Sequence, residues 1–259
     1  MKKNALLHFW QLMTFVLFFL AWEVLVRVLG VKPVILPAPT VIFEQIWAHR
    51  AMLLQNTWPT FVAIGLGFTY AFIVGFAIAV GIAFSRTVRE ITYPFLIVAQ
   101  ILPKIAFAPL FLIWFGFGLT PKIVIAALIA FFPIVINTAK GLTSVDPELL
   151  QYLDSLGASP REKFMRVSLP WAMPYIFAAL KISITLAIVG AVVGEFVAAG
   201  EGLGYVINSA NIALDTQLMF AAITVLSVLG VLMFMAVVAV ERLVTKSSSL
   251  AVDTGSATM

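Results

Sequence analysis

Few residues of this chain could do covalent or acid–base chemistry, and their spacing assembles none of the usual sites. There is no cysteine, which excludes disulfides, thiolate metal centres and Cys nucleophiles. The two histidines, His8 and His49, lie far apart, and neither has a carboxylate at metal-ligand spacing. Gly200-Glu201-Gly202-Leu203-Gly204 has the glycine spacing of a dinucleotide loop but follows an apolar run with no βαβ frame, so a tight turn is expected there. No Gly-Lys-Ser/Thr occurs, so the chain has no P-loop. What remains is polar chemistry set inside apolar sequence: Gln100, Lys104, Trp114 and Asn137 around a proline-broken stretch, Glu195 near the end of a long apolar run, and Lys181 earlier in that run. Such groups gate or line a pathway, satisfy backbone carbonyls freed by proline, or pair with a cation. Lys181 is expected to reach toward lipid headgroups.

The elements that hold these residues follow from composition. Of 259 residues, 62% are hydrophobic and 11% charged, against about 25% charged in soluble domains. Lipid is therefore the expected solvent, and the fold class is an all-α membrane protein. The net charge of +4 is carried by scattered single residues, which excludes a nucleic-acid stripe. A spanning helix needs about 20 apolar residues. Six stretches qualify, at about 6–29, 61–84, 91–117, 120–140, 171–197 and 218–240. The first reads as a retained anchor, because it is long and lacks a small-residue cleavage site. The third is broken by Pro94, Pro103 and Pro109, so it is expected to be discontinuous and to face the protein interior.

Between the first two spans, Thr40 can cap an interfacial helix to about Leu54. Thr120 can cap the fourth span, with Pro121 in first position and a kink at Pro133. Gly190 and Gly194 form a GxxxG match that suits either a dimer face or packing within one bundle. One domain is expected over 1–245, with a disordered tail at 246–259. With the N-terminus in the cytoplasm, ten Lys and Arg (Lys2, Lys3, Arg86, Arg89, Lys140, Arg161, Lys163, Arg166, Arg242, Lys246) fall inside and four (Arg27, Lys32, Arg50, Lys122) outside. That asymmetry places both termini in the cytoplasm.

The segment 143–168 has helix signals at both ends of two short elements. Asp146 caps the first, Pro147 starts it and Gly157 ends it; Ser159 caps the second, Pro160 starts it, Glu162 completes a capping box and Pro170 stops it. Leu149, Leu150, Tyr152, Leu153, Leu156 and Phe164 add apolar surface to a loop that would otherwise be polar, which argues for docking.

Gly157-Ala158-Ser159, then Phe164, Val167, Leu169-Pro170 and Pro174, resembles the cytoplasmic "EAA" signature of binding-protein-dependent ABC importer permeases. Leu36-Pro-Ala-Pro39, the stretch from Leu102 to Pro109, Trp114-Phe-Gly-Phe-Gly118, Phe132-Pro133, and Glu195 ahead of Gly202-Leu-Gly204 extend the resemblance over most of the chain, toward the sulfonate, taurine, nitrate and vitamin-precursor branch. The positions of the eponymous Glu-Ala-Ala hold Gln151, Tyr152 and Leu153, a departure that bears on the first helix's contacts.

The resemblance implies an importer-type core over about 57–242 and a coupling loop at 143–170. In that loop Gln151, Leu153, Asp154, Leu156, Gly157, Ala158, Ser159, Arg161 and Phe164 would meet an ATP-hydrolysing subunit. Gln100, Lys104, Trp114, Asn137 and Glu195 are the candidate pathway or gate residues. It further implies a non-enzymatic permease of a bacterial inner membrane, acting as a homodimer with two ATP-binding-cassette subunits and an extracytoplasmic binding protein. ATP and magnesium would be bound by the partner, and no metal or cofactor by this chain. The transported solute would be small, anionic or vitamin-like. A gradient-driven secondary transporter is the rival reading, but the two halves lack the inverted repeat and midplane charge pairs it would need.

Overall fold

The computed structural model describes residues 2–198 and 200–255; the side chains of 2–8, 11, 12 and 246–255 lie outside the description. Among the described residues every regular element is helical. In chain order these are α1 (Lys2–Val28), α2 (Pro39–Ala48), α3 (Arg50–Phe84), α4 (Arg86–Ile101), a 3-10 turn (Lys104–Phe107), α5 (Ala108–Phe115), α6 (Leu119–Thr143), α7 (Pro147–Ser155), α8 (Pro160–Lys163), a π-helical turn (Phe164–Ser168), α9 (Leu169–Val197), α10 (Leu203–Ile212) and α11 (Thr216–Gly255). Four described helical stretches are long and apolar enough to cross a membrane: Arg50–Phe84, Leu119–Thr143, Pro160–Val197 and Thr216–Thr245. A fifth candidate is the pair Arg86–Ile101 and Lys104–Phe115, which meet at 82°. The expected first span falls in α1, partly outside the described side chains.

The chain divides into two compact units, 1–59 with 201–228, and 60–200 with 229–259. In the first unit, α2 is capped from elsewhere in the sequence. The Thr40 amide donates to Glu23 Oε2 at 3.1 Å, and Arg27 Nε donates to Glu23 Oε1 at 2.5 Å. Thr40 thus does not cap: the N-cap is Ala38, Pro39 opens the helix, and a carboxylate from α1 takes the role expected of the hydroxyl. The interfacial helix ends at Ala48, because His49 leaves helical geometry, and the residues to Leu54 belong to α3. Its exposed face carries Phe43 and Trp47 while Ile42 is buried, an amphipathic split. The stretch after 199 is no simple turn. Gly202, at φ +111°, opens the ten-residue α10, and its amide donates to Asn56 Oδ1 at 2.8 Å.

In the second unit α6 and α9 run antiparallel in the closest contact. A Cβ added to Gly190 would stand 2.6 Å from Ala126 Cα, one on Gly194 2.8 Å from Lys122 Cα, and one on Gly141 2.7 Å from Tyr175 Cβ. Without a hydrophobic driving force between helices in lipid, such small-residue approach supplies the dispersion energy that holds them. The GxxxG pair is therefore spent within the chain. α3 packs parallel to α6, with Gly67 against Ala126 and Gly75 against Ile134. Two parallel helices require the chain between them to travel back along their length, and the bent α4–α5 segment makes that return. Its Leu96 joins Ala79, Ile82, Phe132, Val135 and Ala139 in a buried cluster.

Several boundaries differ from expectation. α6 starts at Leu119 behind Gly118, at φ +131°, which replaces Thr120 as N-cap. Pro133 is accommodated inside α6, where Asn137 Nδ2 donates to the Pro133 carbonyl at 2.9 Å. Pro170 does not stop a helix: α8 runs through the π turn into α9, the wider turn absorbing the missing Pro170 donor. Lys181 does not reach for headgroups but pairs with Glu241 Oε2 of α11 at 2.6 Å. α11 continues as helix to Gly255, past the boundary expected at 246, and residues 256–259 lie outside the described residues.

Candidate functional site: the loop between α6 and α9

The loop 144–168 is built from local bonds that each satisfy an orphan helix-end group. Asp146 Oδ1 accepts the Glu148 amide at 2.8 Å at the start of α7. Gly157, at φ +76°, ends the helix in the left-handed region, where a side chain would be strained. Ser159 Oγ accepts the Glu162 amide at 3.3 Å, while Glu162 Oε2 accepts the Ser159 amide at 3.0 Å. Those bonds to its ionised form, the Ser159 amide first, hold the Glu162 carboxyl below the usual carboxylate range.

Two contacts turn this hinge into a fixed unit. Lys163 Nζ donates to Asp154 Oδ1 at 2.5 Å, tying α8 to α7 across the glycine turn. Phe164 packs on Phe84 at the end of α3, with ring centroids 4.9 Å apart.

What the unit presents outward is apolar. Leu149, Tyr152 and Leu156 follow at i, i+3 and i+7 along α7 and its C-cap, and they are 39%, 62% and 64% exposed. Gln151, Asp154, Gly157, Ser159 and Arg161 are exposed beside them, whereas Leu153, Ala158 and Phe164 are half-buried. Leu153 lines the cleft behind the turn with Gly157, Ala158 and Val167. Leu149 and Tyr152 stand outside the set implied by the signature but belong to the apolar surface read from the loop's own sequence.

The five candidate pathway residues do not form one cluster. Lys104 follows the break between α4 and α5, donates to the Gln100 carbonyl at 2.8 Å and stands 4.4 Å over the Phe132 ring of α6. Asn137 lies farther along α6, bonded to its own helix. Lys104 therefore serves a carbonyl at a helix end, whereas Asn137 adds a side-chain donor to a carbonyl within its own helix. Trp114 is exposed at the end of α5, edge-on to Phe111 at 5.8 Å. Glu195 is elsewhere, fully buried near the end of α9, accepting from Thr60 Oγ1 at 2.7 Å. Lys122, counted above as a loop charge, is in fact fully buried in the first turn of α6.

No group of three or more His, Asp or Glu among the described residues could hold a metal ion.

The family model "Binding-protein-dependent transport system inner membrane component" matches residues 71–246. The chain is 32% identical over 230 residues to the formylaminopyrimidine transport permease protein ThiX of Halalkalibacterium halodurans, covering 88% of this chain and 92% of that protein. It is 35% identical to the riboflavin transport system permease protein RibX of Chloroflexus aurantiacus, covering 90% and 88%. It is 29% identical to the taurine transport system permease protein TauC of Escherichia coli, covering 86% and 84%. Among solved structures, the inward facing MetNI methionine ABC transporter matches with a TM-score of 0.67 at 20% identity, covering 76% of this chain and 98% of that one. That last match speaks to the fold alone.

Proposed function

Because the chain belongs to the family of binding-protein-dependent transport system inner membrane components, and is thus a non-enzymatic permease of the ABC importer type, we propose that it forms the pathway for a small solute and is driven by a separate ATP-hydrolysing subunit docked on the loop 144–168. The observation that carries this reading is the exposed stripe of Leu149, Tyr152 and Leu156 on a stiffened loop. An apolar row on a cytosolic loop is costly unless a partner covers it, and helix-in-groove docking reads i, i+3 and i+7 anchors of this kind.

The reading includes six crossings. α1 would supply the first, and the 82° pair of α4 and α5 would supply the third, broken at Leu102-Pro103. Both termini and the loop would face the cytosol, as the distribution of Lys and Arg favours, ten against three once the buried Lys122 is set aside. A second copy of the chain, two ATP-binding subunits that hold ATP and magnesium, and an extracytoplasmic binding protein would complete the assembly. The names of the relatives support a small organic solute, sulfonate-like or vitamin-precursor-like.

The test is purification of the intact complex and uptake into proteoliposomes. Tyr152→Ser with Leu156→Ser should leave the permease folded, because exposed substitutions shift stability by about 0.5 kcal/mol or less. It should lower the recovered ATPase subunit by at least about tenfold, a loss of ~1.4 kcal/mol in binding. Uptake that survives ATP removal but collapses with the proton gradient would overturn the reading.

A further inference from the structure

Lys122 and Glu195 are both 0% exposed, and each stands at the wrong end of its own helix. Lys122 lies in the first turn of α6, where the helix dipole is already positive; Glu195 lies in the last turn of α9, where it is already negative. Alone, each would be a desolvated charge opposed by its own helix, among the least favourable placements a side chain can have. The antiparallel pairing of α6 with α9 removes both problems at once. It brings the two ends together, with Gly194 so close to Lys122 that a Cβ there would stand 2.8 Å from the Lys122 Cα. Glu195 is the next residue, and its Oε1 also accepts from Thr60 of α3 at 2.7 Å.

The geometry points to a buried Lys122–Glu195 charge pair that locks the register of α6 on α9, so that these helices and the loop 144–168 between them move as one lever. The two helices are the ones that enter and leave that loop. Near the loop they are locked by Gly141 against Tyr175, one turn short of the remote end by Gly190 against Ala126, and at the remote end by the charge pair and Thr60. Sliding by one turn would set Leu186 or Ala198 against backbone that a glycine now meets, and would strand two charges out of water. A push delivered to the loop therefore arrives undiminished at the far end and is passed to α3 there. Lys122 and Glu195 are positioning residues in this scheme; neither touches the solute. The lever part rests on the proposed ATPase docking, whereas the pairing does not.

The test uses the whole transporter, with two readouts. One is the yield of folded permease by gel filtration in detergent; the other is ATP hydrolysed per solute taken up. Lys122→Met or Glu195→Gln alone leaves one buried charge, and folded yield should fall by at least about tenfold. The exchange Lys122→Glu with Glu195→Lys restores the pair and sets each charge at the end its own helix dipole favours, so yield should return to within about threefold of the parent. It should hydrolyse ATP per solute as the parent does. Lys122→Met with Glu195→Gln removes both charges, a change that folded cores tolerate, and should raise the ATP consumed per solute at least about threefold.

An exchange variant no better than the single ones would overturn the pairing. A double-neutral variant with the parental ratio, or an exchange variant that folds with a raised one, would overturn the lever. Parental uptake that ignores ATP would instead sink the proposed docking and leave the exchange result standing.

Discussion

At the scale of single residues, the loop is decided by caps whose chemistry is short-range. Asp146, Gly157, Ser159 and Glu162 each do what their type and spacing dictate, because an orphan amide two or three residues away is the nearest partner available. The lowered Glu162 carboxyl gives a sign for pH. A carboxylate held below its unfolded value contributes its full stabilisation above the unfolded range, and loses it as pH falls through the folded value. Acidification through and below the ordinary carboxylate range should therefore speed local opening at 158–163, read as a loss of amide-exchange protection relative to the unfolded chain at the same pH. Ser159→Ala, which removes a cap worth about 1 kcal/mol, should speed it already at neutral pH. Thr40 is the contrasting residue. Its type predicted a cap, but the helix starts one residue earlier at Pro39, so Thr40 lies inside the first turn and its own amide donates to the Glu23 carboxylate of α1.

At the scale of elements, backbone approach separates glycines that sequence treats alike. Gly190 meets the Ala126 backbone, so Gly190→Ala should destabilise by about 1–3 kcal/mol through overpacking of α9 on α6. Gly65 has nothing within 4 Å of an added Cβ, so Gly65→Ala should stabilise α3 by about 0.5–1 kcal/mol. Thermal unfolding of the two variants in one detergent should move in opposite directions. The same logic explains why Pro170 misled: a proline that ends an ordinary helix can be carried where the preceding turn widens, as 164–168 does.

For the whole molecule, the absence of cysteine from the sequence makes orientation directly measurable. Single cysteines placed at Leu156 of the loop and at the exposed Asn211 of α10 should label from opposite sides of the membrane in intact cells. Labelling of both from one side would reverse the assignment of the loop to the cytosol. The parallel run of α3 and α6 also makes a demand of the chain between them, which must travel back along the length of the two helices. Nothing about 86–115 read in isolation required it, since a bent apolar pair could equally dip in and come back out.

What the sequence determined was whatever depends on neighbours along the chain. Apolar length marked four of the membrane-sized stretches later found as helices, and capping residues marked the ends of α7 and the start of α8. What only tertiary structure decided was whatever depends on neighbours across space. Lys122 counted as a loop charge until α6 placed it against α9, and Glu195 had no described donor until α3 brought Thr60 to it. The physical reason is range: a cap acts over three residues, whereas the cost of a buried charge is settled by whichever distant helix supplies its counterpart.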